Sequence, residues 1–573
     1  MKKLWTLLGV SLIAFPLFAA PKVEELTLRE QVGQTVMPRM LVGKQKAFKK
    51  AVLNGEVTGF FIKTEEGVLH TPKITPKNQK KYIAKQRKAL EKTIADLQKW
   101  ASKSRHKIPL LLSLDYEGGT VTSPMFLGLK QMPANMLLGA GGSEKIVADV
   151  YAAQALEMKN LGVFMALGPA TDVNSNPKNP IIQTRSFGDN AQTVGRLAAV
   201  AVRALEQNGV SAVSKHFPGH GDTSSDSHYV QPVTDLPKEE LWQKHISAFV
   251  PSVKAGVSGV LSAHVVYPSL DKNNTASFSP RILKGLLRKE MGYDGVIITD
   301  GLDMGSVSNH SVEELVRLSY KAGNNMLLLS GDIRDTRTAK KYPRRAADYV
   351  EEVVAAVEEG RLSAEENVTR QEIEISAKKI LALKEKFGLF KKPEPPVLET
   401  GFDAASRSAA EAGVTLVRSA ENVLPVTDKE KDVCAVFFAD GIFSLQLKAF
   451  TDYLTARGKR ARLVHSSVSP TQEERKQAGE CMRGAHMIVV GTSYKTSLDE
   501  DQRRLVEEIR LAADKSDKKF VQISLLNPYE IPHYPHAQTI LAVYGPTEYT
   551  METSAKILLG DLQPKGKLPV SLN

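Results

Sequence analysis

A (β/α)8 TIM-like barrel followed by a smaller α/β domain is the fold this sequence predicts, and three observations predict it. Short apolar or β-branched runs alternate with helical stretches from about residue 30 to 390. The segment 391–400, KKPEPPVLET, then sets three prolines where neither a helix nor a strand ladder is sustained. Beyond it the same alternation resumes. Alternation repeated this often within one block favours a closed parallel barrel, with a doubly wound sheet as the alternative.

In chain order, Met1, Lys2 and Lys3 precede the apolar run 4–18 and the small pair Ala19 and Ala20. That is the pattern of a secretory signal ending near residue 20, with an uncleaved anchor as the alternative. The barrel domain is expected over 21–390, a linker over 391–400 and the second domain over 401–573. Barrel strands read at 58–63, 109–115, 163–168, 210–216, 257–265, 295–300 and 325–330, and an eighth at 34–40 reads equally as the end of a helix. Between them, Ser143 caps a helix that stops at Gly162, and 190–208 sets Val194, Leu197, Ala198, Ala201, Val202 and Leu205 on one stripe before Gly209. The basic helix 77–107 reads as a solvated outer face rather than a nucleic-acid patch. In the second domain, strands at 413–419, 434–440, 462–467, 486–492, 519–526 and 539–545, with a helix at 497–513, imply a parallel sheet. No run of 18 apolar residues follows residue 25, so no further membrane span is expected.

Composition narrows the function. With 573 residues, 42% hydrophobic and 24% charged, the chain is neither disordered nor fibrous. A net charge of +12 and a pI near 9.2 raise nucleic acid, membrane surfaces and anionic polymers as partners. Aromatics, at 6% and scattered, speak against base stacking. Two cysteines, Cys434 and Cys481, cannot build a disulfide framework or a cysteine zinc cage, and none is available in the first domain as a thiolate nucleophile.

In a barrel, chemistry sits at the carboxyl ends of the strands, so polar clusters directly after apolar runs are the candidates. There are four: DYEGG at 115–119, NPKNP and TRSFG within 176–188, SKHFPGHGDTSSDSH at 214–228, and ITDGLDM at 298–304. The third holds His216, His220 and His228 with Asp222 and Asp226. It reads as a metal site of three imidazoles and a carboxylate, as an acid/base dyad of Asp226 and His228, or as histidines satisfied inside a loop. Residues two apart in a loop can bring a carboxylate onto an imidazole N–H, which favours the charged ring. Asp300 ends the apolar run GVIITD, where a carboxylate serves as nucleophile or stabilises an oxocarbenium-like transition state; a turn-initiating role before Gly301 is the alternative, and Asp303 is the nearby competitor.

KHFPGHGDTSSDSH, flanked by TRSFG and TDGLDM, resembles the family 3 glycoside hydrolases of the β-N-acetylglucosaminidase type. The likeness extends through DYEGG and KEKFGLF at 384–390, and into the second domain at VTLVRSAENVLPV (414–426) and GKLPVSL (566–572). It implies an α/β sandwich as the second domain and a retaining exo-enzyme that removes terminal β-N-acetylglucosamine without metal or cofactor. In members with this motif Asp300 corresponds to the nucleophile and His228 to the acid/base, oriented by Asp226. Asp115, Arg185, Lys215 and His216 correspond to the residues that hold the sugar hydroxyls. The family usually has arginine where Thr120 and Ser123 stand, a departure that bears on fine specificity. A neutral imidazole base does not repel an anionic acceptor, so phosphate is expected to compete with water to some extent.

Two rival functions follow. A β-glucosidase or xylosidase of the same superfamily commonly draws its acid from the second domain, so the intact Asp226 and His228 pair counts against it. A non-catalytic wall-binding protein would show decay at Asp300 or His228, and both are present. Export combined with this chemistry points to peptidoglycan fragments as substrate, periplasmic or secreted, with chitin oligomers as the alternative.

Overall fold

The computed structural model describes residues 19–63, 78–121, 123–329, 342–358, 369–391, 401–427, 429–494 and 497–572. Most of the signal segment (1–18) and of the proline seam (392–400) lies outside them.

Eight parallel strands form the first sheet: β1 (Val36–Leu41), β2 (Gly59–Lys63), β3 (Leu111–Leu114), β4 (Met165–Ala166), β5 (Ser211–Phe217), β6 (Gly259–Ser262), β9 (Val296–Thr299) and β10 (Leu327–Leu329). Their order is β10-β1-β2-β3-β4-β5-β6-β9. Thr299 N donates to Met326 O at 3.0 Å and Met326 N to Ile297 O at 3.1 Å, which joins the two end strands and closes the barrel. All eight expected runs are strands, and the ambiguous 34–40 is β1 rather than a helix end. A short antiparallel pair, β7 (Val266–Tyr267) and β8 (Asp271–Thr275), was not expected and lies between β6 and β9.

The period of two along each strand sorts side chains between two cores. Met37, Phe61, Leu111, Met165, Val213, Leu261, Ile298 and Leu328 fill the barrel interior. Their neighbours Val36, Phe60, Leu112, Ala166, Ala212, Val260, Ile297 and Leu327 pack outward against the helices. The helix Arg370–Lys386 and the turn after it send Ile380, Leu383, Phe387 and Leu389 into the interior cluster. Side chains of this size stabilise by roughly 1.5–3 kcal/mol each when fully buried. The helix Glu144–Leu161 begins at Ser143, whose side chain accepts from Ile146 N, and ends at Gly162 in the left-handed region at φ 78°.

The second sheet contains β11 (Thr415–Arg418), β12 (Asp432–Phe438), β13 (Arg460–Ser466), β14 (Met487–Thr492), β15 (Lys519–Ser524) and β16 (Ile540–Ala542), in the order β11-β16-β15-β14-β12-β13. It is mixed, not purely parallel, because β11 runs antiparallel to β16. Cys434 on β12 and Cys481 on the helix Gln472–Arg483 are bonded as a disulfide.

The two halves share a core. Met125, Phe126, Ala134, Met136, Leu137 and Ala140, from the segments after β3, belong to the hydrophobic cluster of the second sheet. Phe402, Ala405 and Ala409, from the helix Phe402–Gly413, pack into the barrel's cluster.

Candidate active site

The carboxyl ends of the barrel strands deliver the polar clusters to one pocket. Its lining includes Lys63 from the end of β2, Asp115 just after β3, Arg185, Lys215 and His216 from β5, His220, His228 and Asp300 just after β9. Six of the seven residues singled out from sequence therefore meet in one cavity, and Asp226 reaches it through His228.

Asp226 Oδ1 lies 2.7 Å from His228 Nδ1 and accepts the His228 backbone N–H at 2.9 Å. The double contact turns the ring so that Nδ1 faces the carboxylate and Nε2 is the nitrogen left for the pocket. Burial works against the charge on Asp226, but the His228 contacts outweigh it and its carboxyl sits below the ordinary aspartate range.

Asp300 is held by the strand that precedes it, since its N–H donates to Ser262 O at 3.2 Å. Its Oδ1 accepts from Gly301 N at 2.7 Å. Burial alone would raise the Asp300 carboxyl. His216, His264, the Gly301 N–H and His228 together hold it below the ordinary value, so the group is ionised at neutral pH.

Opposite these groups runs a ladder of alternating charge. Lys63 Nζ lies 3.2 Å from Asp115 Oδ2, and Lys215 Nζ lies 2.7 Å from both Asp115 Oδ1 and Glu117 Oε1. Arg185 Nε and Nη2 then reach Glu117 at 2.8 and 3.1 Å in a two-toothed pair. Burial favours the neutral forms of Asp115 and Glu117; Lys215, together with Lys63 for the first and Arg185 for the second, reverses this, and both carboxyls stay below their ordinary values. Lys215 and Arg185 are held charged by the same pairing against the pull of burial. The result is a fixed set of charged donors and acceptors, suited to the hydroxyls of one polar ligand.

A second carboxylate organises the histidines. Asp172 is fully buried and accepts from His216 N at 3.1 Å and His220 N at 2.7 Å, with His216 Nδ1 at 2.8 Å. His220 contacts Ser227 Oγ at 3.1 Å through Nε2 and Thr223 Oγ1 at 3.0 Å through Nδ1, and burial pushes it down to about 4, so it is neutral. Each imidazole of the 216–228 motif thus has its own partner, and Asp222 accepts from Ser175 at 3.3 Å. Among the described residues no three His, Cys, Asp or Glu side chains are grouped to hold a metal ion.

Sequence reasoning did not single out Glu117, Asp172, Lys63 or His264, whose Nε2 lies 3.1 Å from Gly301 O behind Asp300. Thr120, where the family usually has arginine, donates its backbone N–H to Thr184 Oγ1 at 3.3 Å and does not line the pocket.

Residues 27–383 match the model of the glycosyl hydrolase family 3 N-terminal domain. The chain belongs to glycosyl hydrolase family 3. It is 29% identical over 533 residues to a protein named β-hexosaminidase A from Pseudoalteromonas piscicida, covering 83% of this chain and 86% of that one. It is 25% identical over 521 residues to a protein named β-N-acetylglucosaminidase/β-glucosidase from Cellulomonas fimi, covering 83% and 85%. The solved structure of a family 3 β-N-acetylglucosaminidase from Paenibacillus sp. str. FPU-7 superposes with a TM-score of 0.80 at 29% identity, over 96% of this chain and 99% of that one. The family's hydrolase chemistry and the pocket at the carboxyl ends of the strands agree in place and in kind.

Proposed function

We propose that this family 3 glycoside hydrolase is a retaining exo-β-N-acetylhexosaminidase. One observation carries the reading: an ionised Asp300 fixed at the end of β9 and a His228 oriented by Asp226 line the same pocket. The names of the similar proteins from Pseudoalteromonas and Paenibacillus support the amino-sugar specificity.

The sugar's hydroxyls bond to Asp115, Arg185, Lys215 and His216. Asp300 attacks the anomeric carbon while His228 Nε2–H protonates the departing oxygen. The bond to Asp300 holds the sugar as a glycosyl ester, and the neutral His228 then takes a proton from the incoming water as the ester is cleaved. Asp226 favours the charged ring in the first half of this cycle and keeps Nε2 aimed at the reacting oxygen in both. The ladder of Lys63, Asp115, Lys215, Glu117 and Arg185 selects for a ligand rich in hydroxyls, because an unmatched buried group costs roughly 1–3 kcal/mol.

The protein is exported, and its substrate is a hexosamine glycan of the cell envelope, such as a peptidoglycan fragment. The apolar leader and the Cys434–Cys481 disulfide support export. A β-glucosidase activity beside the first is the second reading, favoured by the double name of the Cellulomonas relative. Hydrolysis of chromogenic β-N-acetylglucosaminide and β-glucoside by wild type and by Asp300→Ala tests both. The proposal expects turnover of the first substrate, little of the second, and none by the variant; equal rates in wild type and variant contradict it.

A further inference from the structure

The pocket explains the chemistry and leaves the charge unexplained. Within the described stretches 44–63 and 78–107 there are fifteen lysines and arginines against three carboxylates, Glu56, Glu91 and Asp96. That excess equals the net charge of the whole chain, +12, so the rest of the protein is balanced. The basicity is a local feature.

Two packed elements carry it. Lys46, Lys49 and Lys50 stand exposed on the short helices Gln45–Phe48 and Lys49–Leu53 that follow β1. Lys80, Lys81, Lys85 and Lys88 stand exposed on the first turns of the helix Gln79–Ala101. Gln45 joins the elements by donating to Asp96 Oδ2 at 2.9 Å and accepting from Thr93 Oγ1 at 3.2 Å. All three carboxylates are already engaged: Glu91 with Arg87 at 2.8 Å, Asp96 with Lys92 at 3.2 Å and Glu56 with Arg29 at 3.7 Å. Among the described residues, the seven lysines named have no carboxylate at ion-pair distance. Such a face repels itself, and an anion laid along it relieves the repulsion.

Its position links it to catalysis. β1 and β2 point their carboxyl ends to the side of the barrel where the pocket opens, and Lys63 at the end of β2 is in the pocket wall. The 45–53 segment leaves β1 on that side, and the N-terminal half of the helix Gln79–Ala101 lies beside the segment that follows β3, where Arg87 Nη1 donates to Gly128 O at 3.2 Å. The seven lysines therefore stand on the segments that follow the carboxyl ends of β1 and β2.

We propose that this face docks an anionic glycan, a hexosamine chain bearing carboxylates, and presents its end to the pocket. The inference rests on the hexosaminidase reading for the glycan's sugar. No large exposed apolar or aromatic side chain lies in these two stretches, so there is neither a stacking platform for bases nor a wedge for a bilayer. Spaced carboxylates on a hydrophilic chain match spaced ammonium groups on a hydrophilic face.

The test compares wild type with a charge-reversal triple variant, Lys81→Glu, Lys85→Glu and Lys88→Glu. Three substrates are used: a neutral chromogenic β-N-acetylglucosaminide, neutral chitin oligomers and soluble peptidoglycan oligomers carrying free carboxylates. Between about 10 mM and about 150 mM salt the Debye length falls from roughly 30 Å to roughly 8 Å. The proposal expects wild-type kcat/KM on the carboxylated oligomers to fall about tenfold over this range, the low end of electrostatic steering effects. The variant should be nearly flat on these oligomers and unchanged on both neutral substrates. The same salt dependence in variant and wild type, or an equal loss on chitin, would overturn it. So would preferential retention of wild type by duplex DNA or anionic vesicles over insoluble carboxylated glycan. If wild type cleaves no chromogenic substrate the hexosaminidase reading fails, while salt-sensitive retention on the insoluble glycan still reports the docking face separately.

Discussion

Gly305 donates its backbone N–H to the carbonyl oxygen of His228 at 3.1 Å. This bond, with Ser306 N donating to Ser227 O at 3.2 Å beside it, ties the loop that carries the imidazole to the loop that leaves β9 after Asp300, so the two ends of the proposed reaction are held to each other. The approach is close enough that a Cβ on residue 305 would lie 2.7 Å from the carbonyl oxygens of both His228 and Tyr229. Gly305→Ala is therefore expected to displace the His228 loop and lower kcat roughly tenfold to a hundredfold, because small misplacements of a reacting group carry costs of that size. Steady-state kinetics beside a thermal melt checks it: the melt should fall by a few degrees, and kcat should fall at temperatures where the variant is still fully folded.

Replacing His228 should separate substrates by leaving group. A nitrophenolate departs without protonation, whereas a sugar alkoxide requires it, so His228→Ala should lose about 100-fold to 10,000-fold on chitobiose and much less on the aryl glycoside. Asp226→Asn should follow the same pattern more weakly, since it leaves the ring in place and removes only the charge that orients it.

The second domain reaches the loop that carries Arg185 through Tyr529. Its hydroxyl accepts from Asn174 Nδ2 at 2.8 Å, and Asn174 Oδ1 in turn accepts from Gln183 N at 2.9 Å, in the same short helical turn as Arg185. Tyr529→Phe leaves a buried amide donor without its acceptor, a cost of roughly 1–3 kcal/mol. KM should rise several-fold with kcat nearly unchanged, because the proposed role of Arg185 is to bind the sugar and not to break a bond. A loss confined to kcat would contradict this positioning.

Lys384 tests the barrel's stability against pH. It is fully buried, with Nζ 2.8 Å from Gln34 Oε1, and burial pushes it down to about 7 from 10.5. Between those two values the unfolded chain holds the proton and the folded one does not, so this group makes stability rise with pH across the window and level off on either side. Each unit of the shift corresponds to about 1.4 kcal/mol. Lys384→Met should melt several degrees higher than wild type near pH 6, and the gap should close towards pH 10. A gap independent of pH would show that packing alone is responsible.

Much of the barrel is legible in the sequence because its strands are buried on both faces. Even β4, where only Met165 and Ala166 are laddered, lies in a run apolar enough to be read. β1 is ambiguous because Pro38 and Arg39 interrupt it, and Arg39 is nevertheless buried. β8 is illegible for the opposite reason: DKNNT has the composition of a loop, and only its pairing with Val266 and Tyr267 makes it a strand. The direction of β11 is set by its contact with β16, more than a hundred residues away, and no local pattern encodes it. At the site, Asp300, His228 and Asp226 are readable because they follow apolar runs or lie two apart. Glu117 and Asp172 are not, because their meaning comes from Arg185 and His216, 68 and 44 residues distant. The available signal was a carboxylate placed at the end of an apolar run, as in ALGPATDV around Asp172.

Asp300 is expected to form the covalent bond to the sugar. Incubation with a fluorinated N-acetylglucosaminyl fluoride, which slows breakdown of the glycosyl ester more than its formation, followed by peptide mass spectrometry, tests it most directly. The expected result is a stable mass increment of one fluorosugar on the peptide containing Asp300, absent in Asp300→Asn. A label on Asp303 or elsewhere, or turnover without any label, would contradict it.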